Sequence, residues 1–159
     1  MRIGIMLRAM EERQGIGIYS QNLTDQLLAL DSRNEYVLFY RNPALVGRYA
    51  GRPNVKELAV RAPGKWVWDQ LKIPGLARQE NLDLIFHTKF TLPLFTRRKT
   101  VMTIHGASWF VRPDLYPNKL DLAYIRCMMP IYCRKADAIL SNSQLTTDDF
   151  ARILKVPRE

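Results

Sequence analysis

Apolar residues along this chain fall into two alternating kinds of segment, short continuous runs and longer stretches with helical spacing. The short runs are Arg2–Leu7, Tyr36–Tyr40, Val55–Val60, Leu82–Phe86, Thr100–His105 and Ala138–Leu140. Runs of this length, rich in β-branched and aromatic residues and bounded by turn residues, predict strands. The run Val101-Met102-Thr103-Ile104 reads as buried on both faces, as strands of parallel sheets are.

Between the runs the spacing predicts helices. Ile18–Leu30 puts Leu23, Leu27 and Leu30 on one stripe with Ile16 and Tyr19. Leu120–Lys135 puts Leu120, Tyr124, Cys127, Met128 and Ile131 on one face, with Pro130 expected to kink or restart it. Asn42-Pro43 opens a short helix that ends near Gly51. Trp66–Leu71 reads as helix, is interrupted at Pro74-Gly75 and resumes for a turn through Glu80. Ser143 or Thr146 caps a last helix to about Leu154.

This alternation predicts an α/β fold in one domain, 1–159: a doubly wound, mostly parallel sheet of about six strands with helices on both faces. With the usual strand order the topological switch lies between the first and fourth strands, and ligands bind beyond the carboxyl ends there. The segments Arg8–Ile16 and His87–Phe95 would then face each other across a crevice. His105-Gly106 and Ser141-Asn142-Ser143 would line the same edge.

Composition narrows the class. A chain of 159 residues with 47% apolar and 25% charged residues has the make-up of a soluble globular domain. Its apolar runs fall well short of the roughly 18 residues a membrane span needs. The start, Met1-Arg2 followed directly by a core strand, does not read as a signal peptide. Cys127 and Cys133 are spaced for neither a metal pair nor a redox dithiol, and read as reduced cytoplasmic thiols. The net charge of +9 suits anionic small molecules or an anionic membrane surface. No segment interleaves arginines and aromatics, so a specific nucleic-acid partner is not expected. No metal-ligand spacing and no Gly-x-Ser-x-Gly occurs, so neither a metal site nor the usual hydrolase nucleophile is expected.

Several residues are candidates for chemistry. Gly15-Ile16-Gly17 follows a strand and opens a helix, where free amides and the helix dipole favour a phosphate. Ser20 stands where a full dinucleotide motif has its third glycine, and Tyr40-Arg41 where an acid would hold a ribose. A plain dinucleotide site is therefore not expected. His87 either orients a polar substrate or satisfies nearby backbone, Lys89 is either solvated or suited to an anionic acceptor, and Asp83 is a capping or surface residue. Trp66, Trp68 and Leu71 lie beside Arg61, Lys65 and Lys72. That set reads either as core with a solvated basic side or as a surface for anionic lipid. His105 ends a central strand, either as a ligand contact or as a strand cap.

Taken in order, these segments resemble the amino-terminal half of a glycosyltransferase family 4 enzyme with the GT-B fold. The resemblance rests on Gly15-Ile16-Gly17-Ile18-Tyr19, on Trp68-Asp69-Gln70-Leu71-Lys72-Ile73-Pro74, on Asp83-Leu84-Ile85-Phe86-His87 and on Leu92-Pro93-Leu94. It continues through Thr103-Ile104-His105-Gly106, Ala136-Asp137-Ala138-Ile139-Leu140-Ser141-Asn142-Ser143 and Leu154-Lys155-Val156-Pro157. Ile18 stands where the family commonly has arginine, and Gly106 where it has aspartate.

The resemblance implies a Rossmann-like domain on the acceptor side of an active site, completed by a carboxy-terminal donor-binding domain absent from these residues. It implies sugar transfer from a nucleotide-sugar to a sugar or lipid-linked acceptor, with retention and without a metal or other cofactor. His105 would be catalytic, Gly15 and Gly17 would bind donor phosphate or sugar, and His87 and Lys89 would bind acceptor. A cytoplasmic enzyme, peripheral at the inner membrane surface, would fit. Without its partner domain the chain would expose an apolar patch or self-associate, with Trp109, Phe110 and Leu92–Phe95 as that surface. Two other readings compete: a non-enzymatic flavodoxin-like nucleotide-binding or regulatory module, and a basic nucleic-acid-binding domain.

Overall fold

The structure is a computed structural model that describes residues 1–12 and 14–157. Six parallel strands form one sheet: β1 (Arg2–Met6), β2 (Glu35–Tyr40), β3 (Val55–Ala59), β4 (Leu84–His87), β5 (Lys99–Ile104) and β6 (Ala138–Ser141). Their order is β3-β2-β1-β4-β5-β6, so the switch falls between β1 and β4 as the alternation predicts. The helices are α1 (Gly15–Leu30), α2 (residues 65–79), α3 (Ser108–Val111), α4 (Lys119–Lys135) and α5 (Gln144–Leu154). Of the two cap candidates for α5 it is Ser143, whose hydroxyl accepts from the Thr146 amide at 3.2 Å.

Strand register assigns the two sides. Phe39, Met6, His87 and Met102 are paired in one row across the sheet, and Leu38, Ile5, Phe86 and Val101 in the next. The first row meets α2 through Trp68, Ile73 and Ala77, and α4 through Leu122, Met129 and Tyr132. The second row meets α1 through Leu23, Leu27 and Leu28. Helices thus lie on both faces, with α2 and α4 on the same one.

A carboxylate just before a strand registers its neighbour in two places. The Arg2 amide donates to Asp83 Oδ2 at 2.7 Å while the Asp83 amide donates to the Arg2 carbonyl at 2.8 Å. Thr100 and Asp137 repeat the same exchange at 2.7 and 2.8 Å. The β1–β4 and β5–β6 pairs therefore start with fixed register, which sets where their carboxyl ends fall.

Several helical expectations need correction. The segment opened by Asn42-Pro43 is a single 3-10 turn, Pro43–Leu45, and does not continue as helix to Gly51. The buried positions of α1 are Gly17, Ser20, Thr24 and Leu28, small residues that let the helix approach the sheet, and Leu30 is exposed. On α4 the buried face is Leu122, Met129 and Tyr132, while Leu120, Tyr124, Cys127 and Ile131 face outward. Both sides of α4 are apolar, so periodicity alone chose the wrong one. Helix α2 does not break at Pro74. It runs from Lys65–Val67 through a π-helical turn, Trp68–Lys72, into Ile73–Gln79. Pro74 cannot donate to the Gln70 carbonyl and would crowd it in a regular helix; the wide turn absorbs that. Helix α4 likewise runs through Pro130 without interruption.

The surface expected for self-association also differs. Trp109 and Leu92 are buried in the cluster around Met102 and Phe150, and Phe110 is half-buried against it. Only Phe95 of that set is strongly exposed. No helix among the described residues is long and apolar enough to cross a membrane.

Candidate active site

The expected crevice residues converge at the carboxyl edge of β1, β4 and β5. Lys89, two residues past β4, bridges to Glu12 at 2.5 Å, joining the segments that follow β4 and β1. The Ser20 hydroxyl of α1 donates to Thr88 Oγ1 at 2.7 Å. The Tyr19 ring meets the His105 ring edge-on, centroids 4.8 Å apart.

His105 follows β5 directly and is half-buried. Its Nε2 lies 2.9 Å from the Thr88 carbonyl. A carbonyl only accepts, so Nε2 carries the proton and, in the neutral ring, Nδ1 is the acceptor. The backbone is held too, since Asn142 Nδ2 donates to the His105 carbonyl at 3.3 Å. Gly106 then turns at φ 156°, a conformation that side chains rarely adopt. The glycine in place of the common aspartate therefore has a backbone consequence: an aspartate here would be strained. His105, Gly106, Asn142 and Ser143 line one depression of about 430 Å³.

Gly15 and Gly17 serve different ends. Nothing lies within 4 Å of a Cβ added at Gly15, which is exposed at the start of α1. A Cβ at Gly17 would stand 1.6 Å from the Glu12 carbonyl oxygen. The Gly17 amide donates to the Gln14 carbonyl at 2.9 Å. Close packing requires glycine at 17, and the open end of the turn at Gly15 is the part accessible to an anion.

His87 needs correction as an acceptor contact. It is the last residue of β4 and fully buried. Its Nδ1 donates to the Thr91 carbonyl at 2.6 Å and lies 3.0 Å from Thr91 Oγ1. Of the two sequence readings, satisfaction of nearby backbone is the one this geometry has. Burial holds its pKa well below the ordinary histidine value, and the Arg8 and Lys89 charges add to this. The ring is neutral, and its Nε2 is buried without a partner.

Sequence reasoning missed the group in front of His87. Arg8 Nη2 pairs with Asp69 Oδ2 at 3.0 Å, both side chains nearly fully buried, and Thr91 Oγ1 donates to the same oxygen at 2.9 Å. Burial raises the Asp69 pKa, opposed by the Arg8 charge and by hydrogen bonds from Arg8 and Thr91. The signal was present in Trp68-Asp69-Gln70. A carboxylate and an amide between core residues of α2 have to be answered by partners, here Arg8 and the backbone of Leu92 and Leu94. Arg8, Lys89, Thr91, Trp66, Phe90 and Tyr124 are among the residues lining a cavity of about 290 Å³ between α2 and α4. Asp69 lies in the π-helical turn, a distortion that often accompanies functional sites.

The family model that describes Glycosyltransferase Family 4 matches residues 13–159. The chain belongs to this family. No curated protein matches it. Membership accounts for the ordered series of segments from Gly15 to Pro157 and makes the domain a glycosyltransferase module. In the family context, the residues this structure brings together are the α1 start, His105 and Lys89, with His87 behind them.

Proposed function

We propose that this domain is the acceptor-side half of a GT-B glycosyltransferase that moves a sugar from a nucleotide-sugar to an acceptor hydroxyl with retention. In this reading a second domain grips the nucleotide and completes the site. The observation that carries the reading is the seating of His105 at the carboxyl end of a central strand. Its Nε2 is committed to Thr88, leaving Nδ1 as the ring's acceptor.

Sugar transfer of this kind passes through an oxocarbenium-like transition state while a diphosphate departs. The charge on that group needs preorganised donors. The amino end of α1 at Gly15 supplies a positive dipole end. His105 Nδ1 accepts from a donor-sugar hydroxyl and orients the ring for attack. Lys89 and the cavity bounded by Trp66, Phe90 and Tyr124 receive the acceptor, the aromatic faces suiting the apolar side of a sugar ring. His87 acts at one remove, by holding Thr91. No metal or cofactor enters the proposal.

The test is transfer from a panel of labelled nucleotide-sugars by the two-domain enzyme, with product anomers read by NMR. Retained configuration is expected. His105→Ala should lower turnover on the order of 10²-fold with unchanged melting. Unchanged turnover would remove His105 from the site, and an inverted product would overturn the retaining mechanism. The isolated domain should show no meaningful turnover.

A further inference from the structure

The outward side of α2 and the loop beside it form a surface that meets the candidate active site only at the cavity lined by Lys65, Trp66 and Tyr124. Residues 65–79 and 95–98 carry five cations, Lys65, Lys72, Arg78, Arg97 and Arg98, and one carboxylate, Asp69. Asp69 is buried against Arg8, so it does not neutralise the surface. None of the five cations has an ion-pair partner among the described residues. Between Arg78, Arg97 and Arg98 lies a cleft of about 630 Å³, closed by Pro74, Phe95 and Thr96 and lined by no acid.

Large apolar side chains stand among these charges. Trp66 is 52% exposed, Leu71 56% and Phe95 75%. Helix α4 packs on the same side of the sheet and extends the surface with Leu120, Tyr124 and Ile131, all exposed. Its exposed carboxylate, Asp121, is tied to Asn118.

We propose that this face, centred on Phe95 and the Arg78–Arg97–Arg98 cleft, docks the protein flat on an anionic phospholipid bilayer. Bulky apolar residues projecting from a ring of cations match an interface that is apolar below and phosphate-bearing above. A tryptophan at the rim suits the headgroup level. A second copy of the chain would bring like charges together, so charge complementarity selects the lipid. The cavity rimmed by Trp66 and Tyr124 opens beside this face, within reach of a lipid-borne group.

Sedimentation of the chain with phosphatidylcholine vesicles containing 30% phosphatidylglycerol, against pure phosphatidylcholine, tests the proposal. Trp66 fluorescence is the second readout, because Trp68 and Trp109 are buried. Binding to the anionic vesicles alone is expected, with a blue shift absent in Trp66→Phe. Each basic residue near such a surface is worth roughly five-fold in partitioning. R78E/R97E/R98E should therefore lose at least about 100-fold. L71S/F95S should lose on the order of ten-fold without any change in charge, since apolar burial adds to the electrostatic attraction. The control L30S/R33E, which changes an exposed leucine of α1 and the loop after it, should bind as the parent does. All these side chains are exposed or half-buried, and circular dichroism checks each fold. Four results would overturn the docking: no vesicle binding, equal binding to neutral vesicles, indifference to L71S/F95S, or lipid-free self-association that L71S/F95S abolishes.

Discussion

Arg8 and Asp69 form an ion pair beneath the candidate active site, Nη2 to Oδ2 at 3.0 Å, with each side chain only 5% exposed. Arg8 follows β1 and Asp69 sits in the π-helical turn of α2, so the pair clamps a strand end to the helix that crosses over it. Removing one partner of such a pair leaves an uncompensated buried charge, which costs about 3–5 kcal/mol. Asp69→Leu should lose that much in urea denaturation. Arg8→Met/Asp69→Leu should recover most of the loss, because both desolvation penalties disappear together. Equal losses in the single and double variants would show that the clamp is not electrostatic.

His87 gives the fold a pH dependence with a definite sign. Its folded pKa lies well below the ordinary value of 6.5, so below that pH the unfolded chain binds a proton that the folded chain does not. The stability it contributes is present above pH 6.5 and is lost as pH falls toward the folded pKa. Between pH 7.5 and 5.5 this amounts to about 1.4 kcal/mol. Chemical denaturation at the two pH values, compared with His87→Asn, isolates the contribution. A parent slope no steeper than the variant's would contradict it.

The sheet was legible because its signal is local. Each strand is a run of core residues, and alternation with helices admits few topologies. The meeting of the segments after β1, β4 and β5, through Lys89–Glu12 and His105–Thr88, followed from the switch point. Helix faces were harder. Leu120, Tyr124 and Ile131 make as good a stripe on α4 as Leu122, Met129 and Tyr132, and only the neighbours decide which is buried. The same holds for Asp69 and His87. A polar residue in an apolar run announces that it needs partners but not which ones, and for Asp69 the partner Arg8 lies 61 positions away in sequence.

Two glycines two residues apart should respond differently to alanine. At Gly17 a Cβ would collide with the Glu12 carbonyl, 1.6 Å away, and backbone atoms cannot yield as a flexible side chain can. Gly17→Ala should cost about 3 kcal/mol or more, in the range of severe core lesions. At Gly15 there is open space and helix propensity favours alanine, so Gly15→Ala should stay within about 1 kcal/mol of the parent. Thermal melting of both variants checks this. Equal effects would mean that the close approach of the Glu12 backbone is absent in solution.

The two cysteines lie on one helix in unlike surroundings, which makes their reactivities a probe of how α4 is seated. Cys127 is exposed, whereas Cys133 is half-buried with its thiol pushed up to about 11 by burial. The thiolate is the reactive form. At pH 8 a thiol near 11 is only about a thousandth ionised. Alkylation followed by mass spectrometry should find Cys127 modified about 100-fold faster or more, with both equally reactive once urea unfolds the chain. If Cys133 reacts first in the folded chain, α4 is rotated about its axis. The face bearing Leu120, Tyr124 and Ile131 would then lie against the sheet, and the outward surface described for this helix would not exist.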